Sequence, residues 1–138
     1  MIRWIAVDYG TKRIGLAVGD QISAAPVEPV AASGQPARDA ATVRASADHY
    51  DSTGFVVGLP LNMDGTNGPQ AELSRRFAEH LVRGESRPVE MWDERLSSFQ
   101  ADEWMREADI PAARRRELRD SLAALAILRS FLASRRAD

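Results

Sequence analysis

A chain of 138 residues, 44% apolar and 28% charged with a formal net charge of −2, is long enough for one domain with a real core and too apolar for general disorder. The absence of cysteine excludes a disulfide framework and a thiolate metal site and suits a reducing cytoplasm. With only two histidines, His49 and His80, a metal site would be built from carboxylates, which favour hard cations such as Mg²⁺ or Mn²⁺.

The start, MIRWIAVDYG, lacks the cationic lead and apolar core of a secretory leader, and no run of about 18 apolar residues exists. The expectation is therefore a cytoplasmic protein without a membrane partner. Residues 3–9 and 13–19 alternate or run apolar around Gly10, Thr11 and Lys12, which is a hairpin signal. Residues 24–32 contain Pro26 and Pro29 and so predict at best a broken or edge strand. Residues 37–50 predict a helix with Ala40, Val43 and Ala47 on one face. The run TGFVVGL, residues 53–59, reads as a buried central strand. The stretch PLNMDGTNGPQ after it is the longest loop. A helix over 70–83 aligns Leu73, Phe77, His80 and Leu81. A strand over 88–92 leads into Asp93, Glu94 and Arg95. A short helix over 97–107 ends near Ile110 and Pro111, and a last helix runs over about 113–134.

This order predicts an α/β fold spanning 1–138 as a single domain. Its first three strands suit an antiparallel meander, and the later strand–helix alternation suits parallel pairing. A central five-stranded mixed sheet flanked by helices, with strands in this order, is that of the ribonuclease H-like fold, one of several α/β options.

Three carboxylates stand in unusual places. Asp8 shares a strand face with Trp4 and Ala6, where an unpaired charge is expensive. The alternative is a turn aspartate bonding its own backbone. Glu94 lies where the chain leaves a strand, with Asp93 and Arg95 beside it. The alternative is a solvated loop with a local ion pair. Asp120, placed on a helix, falls between Ile127 and Phe131 and beside Ala124, in the apolar sector that faces the protein body. The alternative is a helix-start aspartate facing the dipole. Brought together, the three would repel and require a counter-charge, which one or two divalent cations supply in phosphodiester hydrolysis.

The motifs VDYGTKRIGLAVGD (Val7–Asp20), VVGLPLNMDGTNGP (Val56–Pro69), DERLSS (Asp93–Ser98) and RDSLAALAIL (Arg119–Leu128), in this order, cover nearly the whole chain. In them the sequence resembles the YqgF or RuvX family of pre-16S rRNA nucleases related to Holliday-junction resolvases. The resemblance implies a ribonuclease H-like fold and a Mg²⁺- or Mn²⁺-dependent nuclease that matures the 5′ end of the small-subunit rRNA precursor. The family's acidic triad maps onto Asp8, Glu94 and Asp120, with Asp93 as the competitor for the second place. Strand parity favours Glu94, because Asp93 would point with Met91 and Val89. Where relatives often carry lysines, this chain has Arg114, Arg115 and Arg116, which can chelate two phosphate oxygens.

Seventeen of the eighteen basic residues are arginine. Lys12 and Arg13 follow Asp8, Arg95 follows Glu94, and Arg114–Arg116 precede Asp120, so these six are the expected nucleic-acid contacts. The expected partners are pre-rRNA, ribosomal particles and branched DNA, with the chain a monomer or homodimer. Two other readings compete with a nuclease. One is a non-catalytic RNA-binding or ribosome-associated factor. The other is an actin-like nucleotide-binding module, which would need two such domains where this length supplies one.

Overall fold

The computed structural model describes residues 1–97 and 111–136, without the side chains of Ala112, Arg115, Arg116 and Glu117. The opening hairpin forms as the alternation predicts, with β1 at Trp4–Tyr9 and β2 at Arg13–Gly19. The third strand, β3 at Ala24–Ala31, is continuous despite its two prolines because it lies at the sheet edge, where a missing N–H costs no ladder bond. Helix α1 (Pro36–His49), strand β4 (Gly54–Leu59), helix α2 (Pro69–Val82) and strand β5 (Val89–Asp93) follow. Both helices begin on a proline, one residue before the periodicity predicts. A proline at the first helical position gives up an N–H that has no partner there anyway. A 3₁₀ turn at Glu94–Leu96 follows β5, and the last helix, α3, spans Ala112–Arg136. The helix expected over 97–107 lies outside the described residues, apart from its first.

The strands lie in the order β3-β2-β1-β4-β5. β1 is antiparallel to β2 and parallel to β4, β2 is antiparallel to β3, and β4 is parallel to β5. Alternation along the strands divides the core into two layers. Ile5, Val7, Ile14, Leu16, Phe55 and Val57 pack against α1 and α2. Trp4, Ala6, Ala17 and Val56 pack against Leu118, Leu122, Ala124, Leu125 and Ile127 of α3.

Beyond Trp4 the middle of the second face carries Ala6, Gly15, Ala17 and Gly58, and α3 comes close there. At Gly15 a Cβ would overlap the backbone carbonyl oxygen of Asp120. The pairing of β2 with β3 slips between Ile14, opposite Val30, and Leu16, opposite Val27. Glu28 and Pro29 thus face Gly15 alone, a β-bulge. Ser121 of α3 serves the backbone groups beside it. Its Oγ accepts from the Leu16 N–H at 3.3 Å and donates to the Val27 carbonyl. Among the described residues no helix is long and apolar enough to cross a membrane.

Candidate active site

The half-buried Asp8 lies near the C-terminal end of the central strand, on the face covered by α3. Its cross-strand partner is Gly15. With no side chain at Gly15, α3 descends onto that rung with the backbone of Asp120. The two aspartates are therefore brought to one level by two strands and a helix. Glu94 arrives from the other side, on the turn after β5. It occupies space left by Gly58, where a Cβ would stand 2.9 Å from the Glu94 Cγ and 3.0 Å from its Cδ.

The Asp8 and Glu94 carboxyls lie close enough to act on each other's ionisation. Burial, followed by the charge of Asp120, raises the Asp8 carboxyl to about 6, against the lowering effect of the bond with Glu94. Burial also raises Glu94, to about 8, aided by the charge of Asp8, the bond to it and the charge of Asp93. Each carboxyl stands against ionisation of the site as a whole, so the pair resists carrying two full negative charges without a counter-charge.

Asp93 faces elsewhere. Its carboxylate accepts from the Arg95 guanidinium at 3.0 and 2.6 Å and from the Arg95 backbone N–H at 3.0 Å, capping the turn. These bonds hold its carboxyl below the usual carboxylate range. Strand alternation explains the difference, because Met91 packs with the α1–α2 layer and Asp93 shares its parity.

The expected nucleic-acid contacts divide into distinct settings. Lys12 and Arg13 are exposed on the β1–β2 turn, which is closed by Gly10 N–H donating to the Arg13 carbonyl at 3.1 Å. Arg95 is committed to Asp93, and its Nη1 also donates to the Met63 carbonyl at 3.2 Å, tying the β4–α2 loop to the end of β5. Arg114 is exposed and pairs with Glu28 of the bulge at 3.2 Å. The side chains of Arg115 and Arg116 lie outside the described residues.

Several residues that sequence reasoning missed hold this arrangement. Ser130 of α3 accepts from the Trp92 indole at 3.0 Å and donates to the Leu96 carbonyl at 3.5 Å, bracing the turn that carries Glu94. Ser121 does the same for the rung under Asp120. Helical periodicity sets Ser130 outside the apolar sector of Asp120, yet the structure buries it against Trp92 and the Leu96 carbonyl, and Ser121 carries no sequence signal of its role. Asp39 is a fully buried carboxylate, accepting from the Tyr9 hydroxyl at 2.6 Å and the Ser33 N–H at 2.8 Å. It lies on the opposite face and belongs to the core.

Among the described residues no three acidic or histidine side chains stand close enough to enclose a metal ion by themselves. The close pair is Asp8 and Glu94, with Asp120 acting on Asp8 through its charge. This donor set still suits a hard divalent cation. It offers oxygen alone, and the ionisation of its two closest members is opposed by burial and by each other, a penalty that a bound cation removes.

The chain matches the family model described as "RuvX: Holliday junction resolvase" over residues 2–134. It is 43% identical over 137 residues to a Myxococcus xanthus protein, covering 98% of this chain and 90% of that one. It is 46% identical over 133 residues to one from Anaeromyxobacter dehalogenans, covering 95% and 96%. A Geobacillus kaustophilus protein is 41% identical over 138 residues, covering 98% and 100%. All three carry the name "Putative pre-16S rRNA nuclease". Among solved structures, Thermus thermophilus RuvC in complex with a Holliday junction substrate superposes with a TM-score of 0.58 at 15% identity. That match covers 99% of this chain and 96% of the other. At that identity the likeness concerns the fold, which is ribonuclease H-like.

Proposed function

We propose a function from one premise: this chain belongs to the RuvX family of Holliday junction resolvases, and its own activity is divalent-metal-dependent hydrolysis of phosphodiester bonds in nucleic acid. The observation that carries this reading is the approach of the Asp8 and Glu94 carboxyls from two strand ends, with α3 set down on the Asp8 rung at Asp120, so that burial and mutual charge oppose their ionisation. Carboxylates in that state are a poor structural device and a good cation site. Asp8, Glu94 and Asp120 would hold Mg²⁺ or Mn²⁺, which supplies charge neutralisation and water activation when bound. A bound cation would favour the ionised form of both carboxyls, so affinity for it should rise with pH as the pair ionises. Lys12, Arg13, Arg95 and Arg114–Arg116 contact backbone phosphates around the carboxylates. Arg95 also keeps the β4–α2 loop beside the site.

The substrate we assign is the precursor of 16S rRNA, supported by the names of relatives 41–46% identical; its maturation at the 5′ end, in the cytoplasm, is part of the same proposal. Branched DNA is a second substrate, supported by the family description. The test is cleavage of matched structured RNA and four-way DNA junctions with Mg²⁺, Mn²⁺ or chelator, with Asp8→Asn as control. Metal-dependent cleavage that vanishes in the variant supports the reading. Binding without turnover in every metal would make the protein a non-catalytic RNA-binding factor.

A further inference from the structure

The β3 bulge places an acid among the bases that flank the site. Glu28 and Pro29 share the rung of Gly15 and Asp8. Two inter-strand spacings, about 10 Å, separate their backbone from that of Asp8. Lys12, Arg13 and Glu28 together line a depression of about 290 Å³ at this edge. Arg114 reaches the same carboxylate from α3 at 3.2 Å. One cation therefore pairs with this carboxylate and two more line the same depression, a short step from the carboxylates of the proposed site. Bulges commonly re-aim a side chain beside an active site, and this one aims an acid into a surface that the proposed function needs to be basic. As a stabilising contact the pair does little, since the Arg114 and Glu28 side chains are 50% and 66% exposed.

We infer that the Glu28 carboxylate is a replaceable stand-in for a backbone phosphate of the nucleic-acid substrate. It holds Arg114 across the flank of the site in the unbound protein and yields Arg114 to a phosphate when the strand docks. The carboxylate offers Arg114 two oxygens, as a phosphodiester does. The exchange makes binding weaker and less salt-dependent than the same cations would give alone, which favours release of product. This rests on the nuclease reading of the site.

The experiment is equilibrium binding of a labelled structured RNA in chelator, across a salt series, for the parent, Glu28→Gln, Arg114→Gln and the double variant. Both substitutions are at exposed positions, so the fold is kept. Glu28→Gln should tighten binding about two- to fivefold at low salt, the factor an exposed ion pair is worth. It should also steepen the salt slope by up to about 0.9. Arg114→Gln should weaken binding and make the slope shallower by about 1. In the Arg114→Gln background the gain from Glu28→Gln should largely disappear, because the two act as one unit. A gain that persists in full there would make Glu28 a general surface charge and overturn the inference. Unchanged or weaker binding by Glu28→Gln would overturn it too. If the parent binds neither RNA nor DNA, the nuclease reading itself fails and takes this inference with it. A parent that binds with normal salt dependence confines any failure to Glu28.

Discussion

Glu94 and Asp8 decide the behaviour of the site at the scale of single residues, and their protonation gives a pH signature. Both carboxyls are raised in the folded protein, to about 8 and about 6, from ordinary values of 4.5 and 3.8. A raised group stabilises the fold fully below its ordinary value, and that stability is lost as pH rises through the folded value. The metal-free protein should therefore lose stability from about pH 4 to about pH 8. Asp8→Asn removes one charge of the pair, so it should raise the melting temperature relative to the parent at pH 8.5 and leave it nearly equal below pH 4. The difference at the alkaline end should amount to a few kcal/mol, since each pH unit by which a carboxyl is raised corresponds to about 1.4 kcal/mol. Adding Mg²⁺ at pH 8.5 should stabilise the parent more than the variant. Equal melting curves across the pH range, measured in chelator, would mean that the pair is not under strain. Asp8 could be picked out in the sequence because an acid among Ile5, Ala6 and Val7 breaks a simple pattern. The choice between Asp93 and Glu94 could be inferred from strand parity. Asp39 could not, because an acid in a first helical turn reads as an ordinary partner of the helix dipole.

At the scale of elements, α3 is the ruler of the site. It is fixed over β2 by the empty position at Gly15 and by Ser121 at the bulge. The periodicity of α3 places Asp120 on the buried sector, and the structure puts its backbone at that face. How deep the helix sits depends on Gly15, and a glycine in a strand interior carries no such message in sequence. The bulge was equally hidden, because register slips come from packing across strands rather than from residue types. Gly15→Ala should cost about 1–3 kcal/mol or more, since backbone and not a flexible side chain occupies the space. Ser121→Ala should cost about 1–3 kcal/mol by leaving buried backbone groups of β2 and β3 without a partner. Denaturant unfolding separates both from the parent. A neutral Gly15→Ala would mean that α3 rides higher than its contact with β2 requires. Arg95 makes the corresponding tie on the other side. Arg95→Ala should release the β4–α2 loop from β5, seen as faster amide exchange at residues 62–66, with the global unfolding energy changed by less than about 1 kcal/mol. Unaltered exchange there would leave the Met63 contact without a role.

The whole molecule sets its chemistry at one end of the sheet. Asp8 lies near the C-terminal end of β1, Glu94 follows that end of β5, and the loop tied by Arg95 follows that end of β4. This is where open α/β sheets place their ligands, because there the chain leaves the strands and loops are free to vary. Strand order was legible because periodicity and turn residues are local, and because crossover rules leave few ways to connect two parallel strands. The approach of Asp8 and Glu94 is not local; the odd placement of each acid in its own element made it a candidate, and the likeness of four motifs to a known family tied them, with Asp120, into one site. Charge follows the same geography. A net charge of −2 gives no general attraction to a polyanion, so binding must come from local clusters. Replacing Arg114, Arg115 and Arg116 together with glutamine should weaken nucleic-acid binding and reduce the salt slope by about 1 for every phosphate that goes unneutralised. None of the three would hold metal, so the carboxylates should keep their function. The signature is a raised apparent KM with a smaller change in kcat. The slope counts the phosphates engaged, and a fall larger than that of Arg114→Gln alone assigns the remainder to Arg115 and Arg116. If the triple variant bound RNA with the parent's slope, the start of α3 would be a solvated surface, and the phosphate-binding role would belong to Lys12, Arg13 and Arg95.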